Sequence, residues 1–364
     1  MNWHVLENDW PELLENDPLA DSVAEDVFNA SPSDKALLLK GMKSGSDTIP
    51  GAPSSFRAFL QAAETVIASA PDTGLATQAY WLARPLWISV ALGPGALIHT
   101  YSDPAIAKTL AHTGRLLDAA AARRLAETQL WNLQILRDGA WTLGGAGYVH
   151  TLQVRLLHAR VRTTLKKQGL QGDLANSSMN QQRMVRTWLG FAAIGPHALE
   201  RLGIEWTQEE KTAVASLWDM VGRLLGIPDR LMDSLSQPQA LPQWMAYFGH
   251  HAEPPADETL QLTSAMLNAL GVRMSVLLKL PLQVSHGLMH AFARHIHGDR
   301  MADLLGVLPS EVNSLVPLFV DANRYRFQQI RSQERIRNDH LHQSRMEVEA
   351  IVAQFAGETA YQQA

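Results

Sequence analysis

Apolar residues recur at helical spacing along nearly the whole chain, and runs of alternating β-branched residues are almost absent. That pattern predicts an all-α protein. Helices are expected near 55–70, 75–92, 104–138, 148–168, 179–203, 207–226, 257–279, 281–298 and 301–306, followed by a broken helical stretch over 309–358. Local punctuation supports several ends. Ser54 and Ser55 are cap residues for the first of these helices, and Ser102 or Asp103 caps the next break ahead of Pro104. Thr207 and Glu210 have capping-box spacing, while "LLGIPDRLM" stops one helix at Gly226 and starts another at Pro228. Residues 1–50 are expected to form a looser N-terminal segment with short helices. Residues 51–364 read as a single large helical domain, because no long linker and no repeat of about 20 to 50 residues divides them.

Composition narrows the classes. Hydrophobic residues make up 46% of the 364 positions and charged residues only 18%, which suits a thick core with much interior per unit surface. The net charge of −5 supplies no attraction to nucleic acid or to an anionic membrane. There is no cysteine, which excludes disulfides, thiolate metal sites, iron–sulfur clusters and a cysteine-ligated haem. Fourteen histidines remain as neutral nitrogen donors. The opening "MNWHVLENDWPELLENDP" is acidic and broken by proline, unlike a secretory or transit peptide, so a cytoplasmic protein is expected. The longest apolar region, "LATQAYWLARPLWISVALGPGALIHTY", is interrupted at Arg84, Pro85, Gly93, Pro94 and Gly95, and reads as two short buried segments rather than a membrane span.

The sharpest chemical feature is "TLQVRLLHARVRTTL", Thr151 to Leu165. On a helix, Val154, Arg155, Val161, Arg162 and Leu165 all fall within roughly 60° of the His158 direction. A buried imidazole alone is an ordinary core residue, but arginines seldom enter a core without an anionic partner. The stripe therefore either pairs with acidic residues elsewhere in the fold or faces a bound anion. A second cluster, "SHGLMHAFARHIHG", puts His286 and His290 four apart on one helical face, a spacing that can hold zinc or iron but lacks an evident third ligand. Packing is the expectation there. In "RRLAETQLW", Arg124, Glu127 and Thr128 share a face and could line one wall of a pocket, although an Arg124–Glu127 surface pair explains the two charges just as well. "GAGYVH" lacks the third glycine and the preceding strand of a dinucleotide fingerprint, and reads as a loop approaching a helix.

The order "RRLAET", then "QVRLLHARVRTTL", then "MNQQRMVRTWLGFAAIGPHALERLGIEWTQEEKTAVASLWDMVGRLLGIPDRLM" resembles the latex clearing protein / rubber oxygenase catalytic-domain family, shared with the oxygenase of mycophenolic acid biosynthesis. The Arg-x-x-His-x-x-x-Arg helix, followed some twenty residues later by an Asn-Gln turn, is its most specific part, and the matching parts run from about Arg124 to Met232. The resemblance implies an all-α fold with a globin-like core and a b-type haem. It maps the proximal iron ligand onto His158 and its flanking arginines onto Arg155 and Arg162, which would orient the ligand helix or compensate the propionates. Thr187 and the Asn180–Gln181 turn also match the pattern, Thr187 beside the proximal helix. The family's distal Arg-x-x-Lys-Thr arrangement is met by Arg124 and Thr128, but Glu127 stands where the family has lysine.

These readings converge on a haem b-dependent oxygenase acting on a lipophilic small molecule, with dioxygen or peroxide and an electron donor as partners. Arg124, Glu127 and Thr128 would then equip the distal pocket. Lacking an export signal, the chain is expected to meet a cytoplasmic metabolite rather than a polymer. Two alternatives stay open: a haem-binding sensor, carrier or partner subunit without turnover, and a non-haem metalloenzyme using His286 and His290.

Overall fold

Proline and glycine punctuation cuts the helical periodicity into many separate rods, and the order of the rods decides which faces meet. The computed structural model describes residues 10–28, 32–113, 118–169, 179–237, 240–250 and 252–354. The helices are α1 (Pro18–Phe28), α2 (Pro32–Ser44), α3 (Ser54–Ala68), α4 (Gly74–Val90), α5 (Ile98–Tyr101), α6 (Pro104–Thr113), α7 (Asp118–Gln134), α8 (Ala146–Lys167) and α9 (Gln181–Leu189). They continue with α10 (Gly195–Arg201), α11 (Gln208–Leu224), α12 (Asp229–Leu235), α13 (Ala240–His250), α14 (Asp257–Leu278), α15 (Leu282–His297), α16 (Asp299–Leu304), α17 (Val316–Ser332) and α18 (Glu334–Gln354). No strand occurs among the described residues, so the fold is all-α.

The predicted caps are met unevenly. Thr207 Oγ1 accepts the Glu210 N–H at 3.2 Å while Glu210 Oε2 accepts the Thr207 N–H at 2.8 Å, closing the capping box of α11. Asp103 Oδ1 accepts the N–H groups of Ala105 and Ile106 at 2.9 and 3.1 Å, satisfying donors that the start of α6 would otherwise leave free. Ser54 and Ser55 do not act as caps: Pro53 precedes α3 without a side-chain bond, and the Ser55 hydroxyl donates instead to Asp26 at 2.5 Å. A serine inside the first turn can reach a neighbouring helix as readily as its own backbone. The helix expected over 104–138 is seen as α6 and α7, with residues 114–117 outside the described set, and α7 ends at Gln134. The stretch expected over 309–358 is broken by extended backbone at Gln333, and its residues 355–358 lie outside the described set.

The apolar run Gly74–Tyr101 is long and apolar enough to cross a membrane by composition, yet 89% of its most apolar window is buried inside the fold. Arg84 divides it, with φ of 68° and ψ of 151° ahead of Pro85, and its guanidinium pairs with Glu347 of α18. A π-helical stretch, Ala91–Leu97, follows α4, and a second, Gly190–Ile194, joins α9 to α10. The two approach closely, because a Cβ on Gly190 would lie 3.7 Å from Ala96 Cβ.

Residues 10–50 share the main core. Leu13, Ala20, Val23, Leu38 and Met42 are buried in the same hydrophobic cluster as Phe56, Leu60, Leu152 and Leu156. Helix α1 runs against α8, which sets up the central ion pairs of the site.

Candidate functional site

The α7–α8 hairpin carries most of the residues singled out in the sequence. Its turn is compact because Gly145 and Gly147 press on Ala140: a Cβ on Gly147 would meet Ala140 Cβ at 2.9 Å. Only Gly145 of "GAGYVH" lies outside the helix: Ala146–His150 form the first turns of α8, so the loop expected there stops at the Gly145 cap. Near the hairpin's closed end Trp131 Nε1 donates to Thr151 Oγ1 at 3.1 Å, fixing which residues face each other. Seven residues make nearly two full helical turns, so Arg124 lies on the same stripe as Trp131, and His158 on the same stripe as Thr151. Glu127 and Thr128 lie within about 60° of Arg124 around α7.

His158 is half-buried, and its Nδ1 is fully buried with no hydrogen-bond partner. Burial pushes its pKa down to about 4, the Arg162 guanidinium adds to the effect, and Asp17 opposes it. The imidazole is therefore neutral near pH 7, the state that can donate a lone pair to a metal. Val154 and Leu157 pack beside it against the core.

The flanking arginines meet acidic partners, one of the two outcomes the sequence left open. Arg155 Nε and Nη2 reach Asp17 Oδ2 and Oδ1 at 2.6 and 2.8 Å, and both side chains are only 7% exposed. The same guanidinium lies 5.0 Å from the centre of the Phe59 ring. Arg162 Nε reaches Asp21 Oδ1 at 2.8 Å. Burial raises the Asp21 pKa, against the opposing pull of Arg162. Both arginines therefore orient α8 through α1. Asp17 and Asp21, four apart at the start of α1, escaped the sequence reading because the acidic opening segment looked loose and solvated. Gly226 makes room for the pair: its φ is +87°, and a Cβ there would sit 2.6 Å from Arg155 Nε.

On α7, Glu127 is held by Arg123 at 3.0 Å, one residue away from the expected partner. The side chain of Arg123 is 60% exposed and that of Glu127 only 15%, so the carboxylate sits on the inner side of its cation. Arg124 lies deeper; burial lowers its pKa, with Tyr101 and Glu127 pulling the other way. Burial raises the Tyr101 phenol to about 12. Thr128 lines an open cleft with Ser89, Leu92, Leu97, Leu125, Gln129, Leu270 and Arg273. Neither Tyr101 nor Arg273 carried a sequence signal, since each comes from a different element.

Thr187 is half-buried on α9, beside the buried Arg186. Asn180 caps that helix by accepting the Arg183 N–H at 3.2 Å. Gln181 Nε2 donates to the carbonyls of Asn16 and Gly226 at 3.1 and 3.0 Å, so the Asn-Gln turn ties the N-terminal segment to the α11–α12 loop. His286 lies against Gly271, with its Nε2 buried and unpaired, whereas His290 Nδ1 accepts the Leu308 N–H at 3.1 Å. Among the described residues no group of three or more His, Asp or Glu side chains is arranged to hold a metal ion. The two-histidine metal centre therefore lacks its third ligand, and His290 has one nitrogen already engaged.

The described residues thus form an all-α fold in which His158, its Nδ1 buried and unpaired, sits on α8 between two ion-paired arginines. Residues 80–324 match the family model described as ER-bound oxygenase mpaB/B′/Rubber oxygenase, catalytic domain, and the chain belongs to that family, which implies an oxygenase. A solved structure of latex clearing protein LCP in the closed state has the same fold, with a TM-score of 0.64 and 20% identity over 86% of this chain and 83% of that one. No curated protein matches the chain significantly by sequence.

Proposed function

We propose that this oxygenase is haem b-dependent, that His158 would hold the iron, and that it acts on a lipophilic small molecule. The observation that carries the reading is the His158 ring, neutral at working pH with its Nδ1 buried and unpaired. An unsatisfied buried polar atom needs an explanation, and a ligand residue awaiting its metal supplies one. Val154 and Leu157, partly buried on the same helix, would offer apolar contact to a porphyrin. When bound, haem iron would supply the dioxygen or peroxide activation that side chains cannot perform.

The chain's own residues supply the rest. Arg155 and Arg162, engaged by Asp17 and Asp21, act as positioning residues that hold the His158 helix, so propionate neutralisation falls to other groups. Arg124 presents a partly desolvated cation between Tyr101 and Glu127. Glu127 is a proton acceptor with its charge balanced by Arg123, and Thr128 can orient a polar atom at the edge of the cleft. Leu92, Leu97, Leu125 and Leu270 make the lining of that cleft largely apolar.

Absorption spectra of the purified protein, oxidised and dithionite-reduced, with a pyridine haemochrome assay, test the reading. A Soret band at near-stoichiometric haem b supports it. Absence of haem after expression with precursor and a reconstitution attempt removes it. The alternative of a haem sensor, carrier or partner subunit draws on Glu127, a carboxylate where the resembling family has lysine. Dioxygen consumption with lipophilic substrates separates the two.

A further inference from the structure

The hairpin of α14 and α15 ends in an apolar tip. Val276 and Leu277 are 78 and 57% exposed there, with Val272 and Leu282 about half exposed. No other eleven-residue stretch among the described residues exposes more than two large apolar side chains. Single exposed leucines are ordinary, whereas a cluster at one hairpin end needs a surface to cover it. The tip is held from within, because Leu278 and Leu280 pack against the core. Its reversal is also closed on itself. The N–H groups of Lys279 and Leu280 both donate to the Ser275 carbonyl, and the Ser275 hydroxyl donates to the Leu280 carbonyl at 2.7 Å. Pro281 has no N–H to satisfy. Backbone groups paired in this way can approach hydrocarbon without being stripped of their partners.

Charge follows the same pattern. The whole chain carries −5, yet residues 259–298 contain no aspartate or glutamate. Lys279 is exposed at the apex and has no ion-pair partner among the described residues. It occupies a left-handed backbone position, with φ of 54°, where glycine is the less strained choice. A cation is thus kept at the rim of the exposed leucines, on a stem that can lie along apolar surface while its ammonium stays in water.

We propose that this tip docks on an anionic bilayer, with Val276, Leu277 and Leu282 entering the headgroup boundary and Lys279 pairing with the acidic groups of the lipid. The docking goes beyond the oxygenase reading and does not depend on it. Two quantities favour a bilayer over a protein partner. Four partly exposed aliphatic side chains offer on the order of a few hundred Å², short of the roughly 800 Å² per partner in a stable protein interface. One helical turn, about 5.4 Å, matches the depth of about 5–10 Å that interfacial insertion requires.

Co-sedimentation of the purified protein with phosphatidylcholine vesicles containing about 30% phosphatidylserine, at about 0.1 M salt, tests the proposal. Binding is expected, and weaker binding to phosphatidylcholine alone. Leu277→Asp should keep the wild-type thermal midpoint and lose affinity at least about tenfold. Lys279→Gln should lose about fivefold on the anionic vesicles and nothing on the neutral ones. The chain has no cysteine, so Leu277→Cys carrying an environment-sensitive fluorophore reports insertion, with Leu14→Cys at an exposed site of the N-terminal segment as its control. A blue shift at the first label and none at the second is expected. Absence of wild-type binding, binding unaffected by Leu277→Asp, or equal shifts at both labels would overturn the proposal. So would a dimer in sedimentation velocity that Leu277→Asp abolishes, found without vesicle binding, which would assign the tip to a second copy of the chain.

Discussion

Arg155 and Asp17, 138 residues apart in the chain, meet through two parallel hydrogen bonds of 2.6 and 2.8 Å in the interior. Removing one member of a buried pair leaves the other charge desolvated, which costs more than the pair contributes net. Asp17→Asn should therefore lower unfolding stability by about 3–5 kcal/mol. The double variant Asp17→Leu with Arg155→Met should recover much of that loss. Urea unfolding measures both; a loss below about 1 kcal/mol in the single variant would mean the pair behaves as a solvated surface contact.

His158 gives up no hydrogen bond at Nδ1 when removed. His158→Ala should keep the helical circular-dichroism spectrum and lose most bound haem. Unchanged haem occupancy would remove His158 as the main ligand. The contrast with Asp17→Asn is useful, since that substitution should lower stability first and haem content only as a consequence.

Glu127→Lys replaces the carboxylate held by Arg123 with a cation four residues from Arg123 and three from Arg124 on α7. Each such like-charge pair costs a helix only about 0.2–0.5 kcal/mol, so the thermal midpoint should fall modestly. The resting absorption spectrum and the rate of dioxygen consumption should change more. Identical spectra and rates would put Glu127 outside the reach of the iron.

Much of the fold was legible because helix ends are written in few residues: the Thr207–Glu210 box, Asp103 ahead of Pro104 and Gly226 ahead of Pro228 each sit where their side chain or φ is needed. The candidate site was half legible. The His158 stripe is visible in a single helix, because its oddity is local. Asp17, Asp21, Tyr101 and Arg273 were not, since their meaning arises only when distant helices pack. The π-helical stretches also left no periodic signal, one inserted residue being too small a change in spacing to read from a single chain.

Three histidines other than His158 make stability pH-dependent. Desolvation is the leading cause in each case, pushing His99 down to about 3 and His150 and His340 down to about 4. Arg186, Arg137 and Arg326 respectively add electrostatic pressure, while the Leu82 carbonyl, hydrogen-bonded to His340, acts in the opposite sense. The folded protein keeps these rings neutral, whereas the unfolded chain takes up protons below about pH 6.5. Stability is thus fully present above that pH and is lost as pH falls toward 4. Thermal midpoints between pH 8 and 4.5 should fall on the acid side, with proton uptake on unfolding at pH 5. A flat profile would show that these rings are hydrated in the native state.

The counter-charges for the His158 helix sit together at the start of α1, Asp17 just ahead of it and Asp21 in its first turn, and the exposed turn at Pro50–Gly51 is the natural place to sever the chain. A molecule cut there would become two complementary fragments, the larger one left with two orphaned interior cations until the smaller docks. Their re-association would respond to ionic strength in two stages, the Asp21 contact yielding first because its carboxylate is 26% exposed against 7% for Asp17. The first fifty residues would then behave as a removable electrostatic key for the oxygenase core.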